Sequence, residues 1–195
     1  MKLFSDDVMA KFKAIKSYEV DMSKGDSFKD VETMTQSNIR TARRRKDPRT
    51  DSVIAQHTQQ GYGAELTLRS IEEVTPSAEI SPFFKGLEYK QVMTDFYCEG
   101  VPSQMKTAIG STLERNRKWY LSQAQFDSIL ASHSCYDSIF LFKAEYIRPY
   151  VFTYDSFIMI DSQKFMKHVK INKGPYSPYY FDYVEAILKN SAIIL

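Results

Sequence analysis

Between residues 89 and 108 the hydrophobic period of the chain becomes two, on both sides of a Glu99-Gly100 pair. Tyr89, Gln91, Met93, Asp95 and Tyr97 share one face of an extended segment. Lys90, Val92, Thr94, Phe96 and Cys98 share the other, and residues 101–108 run back as a second strand. Side chains two apart in a strand point the same way, so this alternation marks a pair of half-buried strands, not a helix. Gly100 lies where the chain must reverse, in a turn that suits a residue without a Cβ. The segment predicts a β-hairpin, and the fold of this chain has to be built around it.

Helical periods surround the hairpin. In residues 1–17, Leu3, Phe4, Val8, Phe12 and Ile15 recur at spacings of three and four, an amphipathic helix. Residues 50–71 carry Val53, Ile54, Ala64, Leu66 and Leu68 at helical positions. Asp51 is the expected cap there, and Gly61 and Gly63 weaken the middle, giving one helix with a soft centre or two short ones. Residues 73–82, with Pro76, Ser77, Ser81 and Pro82, predict a loop or a short edge strand. Residues 113–131 read as a helix burying Leu113, Trp119, Leu121, Phe126, Ile129 and Leu130. Residues 137–146 and 150–160 are rich in β-branched and aromatic side chains and are separated by Arg148-Pro149, so they predict two more strands. A terminal helix over residues 178–188 follows the Gly174-Pro175 turn.

This order gives an α/β chain with a mixed central β-sheet flanked by helices. Residues 22–36 are polar with few apolar anchors and lead into Arg40, Arg43, Arg44, Arg45, Lys46 and Arg49, the one dense basic cluster. Residues 1–49 therefore read as an N-terminal helical extension with a basic arm, and residues 50–195 as the α/β core.

With 43% hydrophobic and 14% aromatic residues, the chain has enough apolar surface to offset the ordering entropy of folding. Its formal charge is only +2, so attraction to a polyanion must come from local clustering. Cys98 and Cys135 have neither a CxxC spacing nor a neighbouring histidine, which argues for free thiols and against a zinc site. Asp6, Asp7 and Lys11 interrupt the apolar residues at the start, unlike a signal peptide, and no apolar run approaches the ~20 residues of a membrane span. A cytoplasmic location is expected, the host cytoplasm if the source is a phage, with no membrane partner.

The chemistry lies in the hairpin. Asp95 sits on one strand, and Gln104-Met105-Lys106 follows on the returning one. Gln104 and Lys106 are two apart and share a face, so the turn can bring both beside Asp95. A carboxylate and an amide carbonyl offer oxygen ligands to a hard cation such as Mg²⁺, and an ammonium beside them can orient water or stabilise charge on a phosphate. Glu65, on the preceding helix, can complete the set.

The segment from Asp95 to Ala108, Asp-Phe-Tyr-Cys-Glu-Gly-Val-Pro-Ser-Gln-Met-Lys-Thr-Ala, resembles the acidic strand, tight turn and lysine strand of the PD-(D/E)XK nuclease superfamily. Asp95 matches the family's first acidic ligand, Gln104-Met105-Lys106 its (D/E)XK tripeptide, and Glu65 in Gly63-Ala64-Glu65-Leu66 the helical glutamate of many members. The likeness covers about residues 50–160. Met93-Thr94 stands where the family's proline would be, and Gln104 replaces an acid, which removes a negative charge and should weaken metal affinity.

The resemblance implies a restriction-endonuclease-like core and an Mg²⁺-dependent endonuclease, of restriction or phage type, that hydrolyses DNA phosphodiester bonds; Mn²⁺ can substitute, and RNA stays open as a substrate. Glu65, Asp95, Gln104 and Lys106 would be catalytic, and Glu65, Asp95 and Gln104 would be the metal ligands. Arg40, Arg43, Arg44, Arg45, Lys46 and Arg49 are the expected contacts to nucleic acid phosphates. Cutting both strands of a duplex would favour a homodimer. The alternatives are a non-catalytic nucleic-acid-binding module on the same fold, or a phage protein that acts by binding another protein.

Other groups carry weaker signals. His57, His133 and His168 have no partners at metal spacing, although His57 precedes Glu65 by about two turns, and Glu99 is a spare carboxylate in the turn. Lys143, Arg148, Lys164, Lys167 and Lys170 could flank a groove. Tyr176, Tyr179, Tyr180 and Tyr183 could stack on bases, but core or dimer contacts are the commoner use of such a stripe.

Overall fold

The computed structural model describes residues 4–76, 95–123, 126–127, 130, 138–174 and 177–195. The expected strand residues 89–94, His133 and Cys135 lie outside them.

The first helix, α1 (Asp6–Ala14), is capped by Ser5, whose hydroxyl accepts from the Val8 amide, and it buries Val8 and Phe12. Strand β1 (Tyr18–Asp21) follows, then α2 (Gly25–Arg44), a 20-residue helix where the sequence suggested only a polar stretch. Its buried positions are few, Val31, Thr35 and Ala42, because it touches the rest of the molecule mainly through α3 (Asp51–Leu68). The helix is supported on its outer face by side-chain pairs one turn apart, such as Gln36 donating to Glu32 at 2.9 Å. A seam this narrow leaves little hydrophobic period to read.

Helix α3 is continuous through Gly61 and Gly63, and its cap is Thr50, whose side chain accepts from the Val53 amide, not Asp51. Gly63 has a packing reason. A Cβ there would collide with the phenol of Tyr154 and lie 3.1 Å from the Met22 methyl, so only glycine lets the helix lie this close to the sheet. The Tyr154 hydroxyl in turn donates to the Gln60 carbonyl at 2.8 Å. Phenol and glycine together set the depth of α3.

After α3 come β2 (Val74–Pro76), β3 (Phe96–Cys98), β4 (Val101–Ile109), α4 (Gly110–Asn116), β5 (Trp119–Leu121), β6 (Ser138–Arg148) and β7 (Val151–Asp161). Then follow α5 (Ser162–Lys167), β8 (Val169–Ile171), β9 (Tyr179–Phe181), α6 (Tyr183–Leu188) and β10 (Ala192–Ile194). The main sheet runs β1-β7-β6-β4-β3-β2, with β10 also on β7. Its pairs are antiparallel except β4 with β6, which are parallel and so need a long crossover between them. The described residues thus form an α/β arrangement with a mixed central sheet flanked by helices.

Two expected helices are partly strand. The helix over residues 113–131 stops at Arg117, which adopts a left-handed φ of 53°, and Trp119 and Leu121 then alternate with exposed Tyr120 in β5. The terminal helix begins late. Residues 179–181 are β9, and Asp182 caps α6 by accepting from the Glu185 amide. Strands β5, β9 and β8 form a separate three-stranded sheet.

One buried cluster lies between the main sheet and helices α1 and α3, and a second between the opposite face and α4, α5 and α6. Phe140 centres the first. Its ring is 4.4 Å from Phe12, 5.7 Å from Phe4 and 5.5 Å from Phe96. Residues 1–49 thus contribute Phe4, Val8, Phe12, Val20, Met22 and Val31 to the same core as β6.

Candidate active site

Glu99 and Gly100 both adopt positive φ, 48° and 76°, as a two-residue primed turn requires, and they fix the register of β3 on β4. Asp95 precedes β3 directly. Its amide donates to the Ser103 carbonyl at 3.0 Å, and its Oδ2 accepts from the Met105 amide at 2.9 Å and from Gln104 Nε2. The carboxylate is therefore pinned to the stretch of β4 that carries Gln104, Met105 and Lys106.

Alternation along β4 divides that stretch. Met105 pairs with Phe140 and belongs to the core under α1 and α3, whereas Gln104 and Lys106 pair with Ile139 and Leu141 of the other face. Glu65 approaches from α3. A cavity of about 20 Å³ is lined by Glu65, Leu68, Arg69, Val74, Asp95, Phe96 and Met105. That is space for about one water or a small cation. Asp95 is the group at which both faces meet.

The electrostatics follow this arrangement. Burial, helped by the Asp95 carboxylate and opposed by Arg69 and Lys106, pushes the Glu65 carboxyl up to about 6. Burial also raises Asp95, opposed by the Lys106 charge and by the Met105 and Gln104 donors. Lys106 acts on both carboxylates through space, and among the described residues it forms no direct ion pair with either. A plain cross-strand Asp95–Lys106 salt bridge is thus not what the hairpin makes.

Two carboxylates that disfavour each other's charge in a small cavity suit a cation. Mg²⁺ commonly takes one or two carboxylates and keeps its remaining positions for water and substrate phosphate. Among the described residues there is no group of three or more His, Cys, Asp or Glu side chains arranged to hold a metal. The sequence assigned Gln104 as an oxygen ligand, but its amide nitrogen faces Asp95. With the carboxylate ionised this is the favourable orientation, since the reverse would oppose two oxygens. To present Oε1, the amide must rotate.

Arg69, on the turn after α3 and four residues from Glu65, escaped the sequence reading. The signal available was its i,i+4 spacing from an assigned acid.

The basic cluster does not act as one body. Arg43 is tied to Asp51 and to the carbonyls of Asp47 and Arg49, and Arg49 forks onto Asp47. Arg40, Arg44, Arg45 and Lys46 are exposed. Elsewhere Lys143 pairs with Glu114 at 3.2 Å, Arg148 with Asp21 at 3.0 Å and Lys170 with Asp182 at 2.9 Å. The described tyrosines are internally engaged. Tyr179 stacks on Phe126 at 3.9 Å, the Lys118 ammonium sits 4.2 Å over Tyr180, and Tyr183 donates to the Leu113 carbonyl. Glu99 accepts from the Ser5 amide at 2.7 Å and anchors α1 to the hairpin. Cys98 is buried, and burial pushes its thiol up to about 12, so it is inert at neutral pH. His168 is buried, its Nδ1 3.7 Å from Glu185.

No helix among the described residues is long and apolar enough to cross a membrane. Comparison with protein-family models, with curated proteins and with solved structures found no match for this chain.

Proposed function

We propose that this protein is a divalent-metal-dependent endonuclease acting on DNA, with a restriction-endonuclease-like core. The observation that supports it best is the convergence on Asp95. A half-buried helical acid and the acid that opens the hairpin line one cavity the size of a small cation, and a lysine on the other face of the next strand acts on the charge of both. The order of elements also suits the reading: helix with Glu65, strand, strand entered at Asp95, turn, strand with Gln104-Met105-Lys106, then a crossover to a parallel strand.

In this reading Glu65 and Asp95 hold Mg²⁺, with the Gln104 carbonyl available after rotation of its amide. The bound ion would polarise the phosphodiester and lower the pKa of the attacking water. Lys106 orients that water or offsets negative charge that develops on the phosphate. Arg69, at the cavity rim, offers a second cation to a phosphate oxygen. The exposed Arg40, Arg44, Arg45 and Lys46 add sequence-independent attraction.

The test is cleavage of duplex DNA by purified protein in Mg²⁺ or Mn²⁺. Asp95→Ala and Lys106→Ala each abolish it if the roles are as given. Full activity in either variant refutes them. A second reading is favoured by one specific contact, the Gln104 amide that fills the Asp95 acceptor, leaving two acids where three would grip a metal more tightly. On that reading the protein binds nucleic acid without cutting it, and salt-dependent binding persists in both metals with the substrate intact.

A further inference from the structure

The facing sides of α2 and α3 open, at their connected ends, into a cleft of about 330 Å³ well away from the Asp95 cavity. Asn38, Thr41, Ala42 and Arg45 come from one stripe of α2, and Ile54, His57 and Thr58 from one stripe of α3. Ala42 and Ile54 are buried and form an apolar floor. Asn38 bridges the helices by donating to the Thr58 hydroxyl at 3.1 Å.

The charged groups in this cleft are arranged in a definite order. Asp47 takes the Nε and Nη2 of Arg49, which offsets that arginine's charge. The remaining Nη1 of Arg49 lies 3.2 Å from His57 Nδ1. Since a guanidinium only donates, Nδ1 must accept, and the imidazole proton therefore sits on Nε2. Burial and the nearby Arg49 charge lower the His57 pKa, so the ring is neutral at pH 7. Arg43 is engaged with Asp51. Arg45 has no side-chain partner among the described residues and leaves the cleft one net positive charge.

We propose that this cleft binds one backbone phosphodiester of a nucleic acid strand, Arg45 supplying the charge and His57 Nε2, Thr41 and Asn38 the hydrogen-bond donors. The inference rests on the nucleic-acid reading above and narrows it from a basic arm to one built pocket. A single positive charge matches a phosphodiester, which carries one negative charge, better than a terminal phosphate, which carries nearly two. Glu65 lies eight residues beyond His57 on α3, about 12 Å along the helix at ~1.5 Å per residue.

The experiment is fluorescence anisotropy with a labelled duplex in EDTA, between about 50 and about 200 mM salt. Arg45→Ala, exposed and unpaired, leaves the fold intact and flattens the slope of log affinity against log salt by about 0.9, the value for one phosphate. His57→Ala weakens binding without changing that slope, because it removes a neutral donor. Lys16→Ala, an exposed cation outside the cleft and outside the basic cluster, is the control. If Lys16→Ala and Arg45→Ala act alike, or neither changes the slope, the pocket is overturned, while Asp95-dependent cleavage would leave the nuclease reading standing. If the Arg45 slope changes as expected but Asp95→Ala still cuts DNA, the pocket stands and the catalytic assignment falls. Absence of duplex binding by the unaltered protein overturns both.

Discussion

Replacing Glu65 with Gln separates what the half-buried acid costs the fold from what it does for function. In the folded protein the Glu65 carboxyl is raised to about 6, against 4.5 for the free side chain. A raised carboxyl binds its proton more tightly when folded. Its contribution is therefore fully present below about pH 4.5 and is lost as pH rises through about 6. At ~1.36 kcal/mol for each unit, the loss approaches about 2 kcal/mol, a ceiling because the residue keeps some contact with water. Glu65→Gln preserves the shape and removes the titration. In EDTA, the variant's stability relative to the unaltered protein should rise by up to about 2 kcal/mol between pH 4.5 and pH 7. For a chain of this size that is a gain in Tm of about 4–8 °C at neutral pH, readable by calorimetry or circular dichroism. Adding Mg²⁺ at pH 7.5 then reverses the ranking, because a ligand that binds only the folded state stabilises the protein that keeps both acids. A stability difference that stays flat with pH would refute the placement of Glu65 in a buried cavity with Asp95. An equal Mg²⁺ effect on both proteins would refute its role as a ligand.

Further expectations concern neighbours of this site and the core beneath it. Gln104→Glu supplies a third acid and should tighten Mg²⁺ binding at least tenfold by titration calorimetry, about 1.4 kcal/mol. Without metal it should lose about 1–3 kcal/mol of stability, because Asp95 exchanges a donor for a like charge. Lys106→Met should lower single-turnover cleavage by about 10²–10³ with little change in duplex affinity; unchanged cleavage would exclude the lysine from the reaction. Phe140→Ala should cost about 3–5 kcal/mol in urea unfolding, since four aromatic rings meet there; a loss under 1 kcal/mol would mean that the cluster is loosely packed. Cleavage should rise with pH through about 6 as the two acids release protons to a metal, and a rate independent of pH between 5 and 8 would contradict that order.

The hairpin was legible because its period of two survives even where one strand is short, and Gly100 marked the reversal unambiguously. Helix α2 was not, since a helix that buries only Val31, Thr35 and Ala42 leaves almost no apolar stripe to detect. Trp119 and Leu121 looked helical in a window that included Leu113, and nothing local warned that Arg117 would take a left-handed conformation and start a strand. Glu65 could be picked out by its place before the hairpin, but the orientation of the Gln104 amide could not. That orientation depends on an Asp95 acceptor brought in by folding. The cleft at Arg45 was equally invisible, because its two walls come from different helices and its charge is set by the Arg49 contacts with Asp47 and His57.

The reversal at Glu99-Gly100 leaves no slack between the two strands it joins. Lengthening it by a single residue would exchange the two sheet faces along the whole of β4. Met105 would be turned to the face of Ile139 and Leu141, while the Lys106 ammonium would be driven in against Phe140. Only an added pair of residues at this bend would keep Met105 on the side of Phe140.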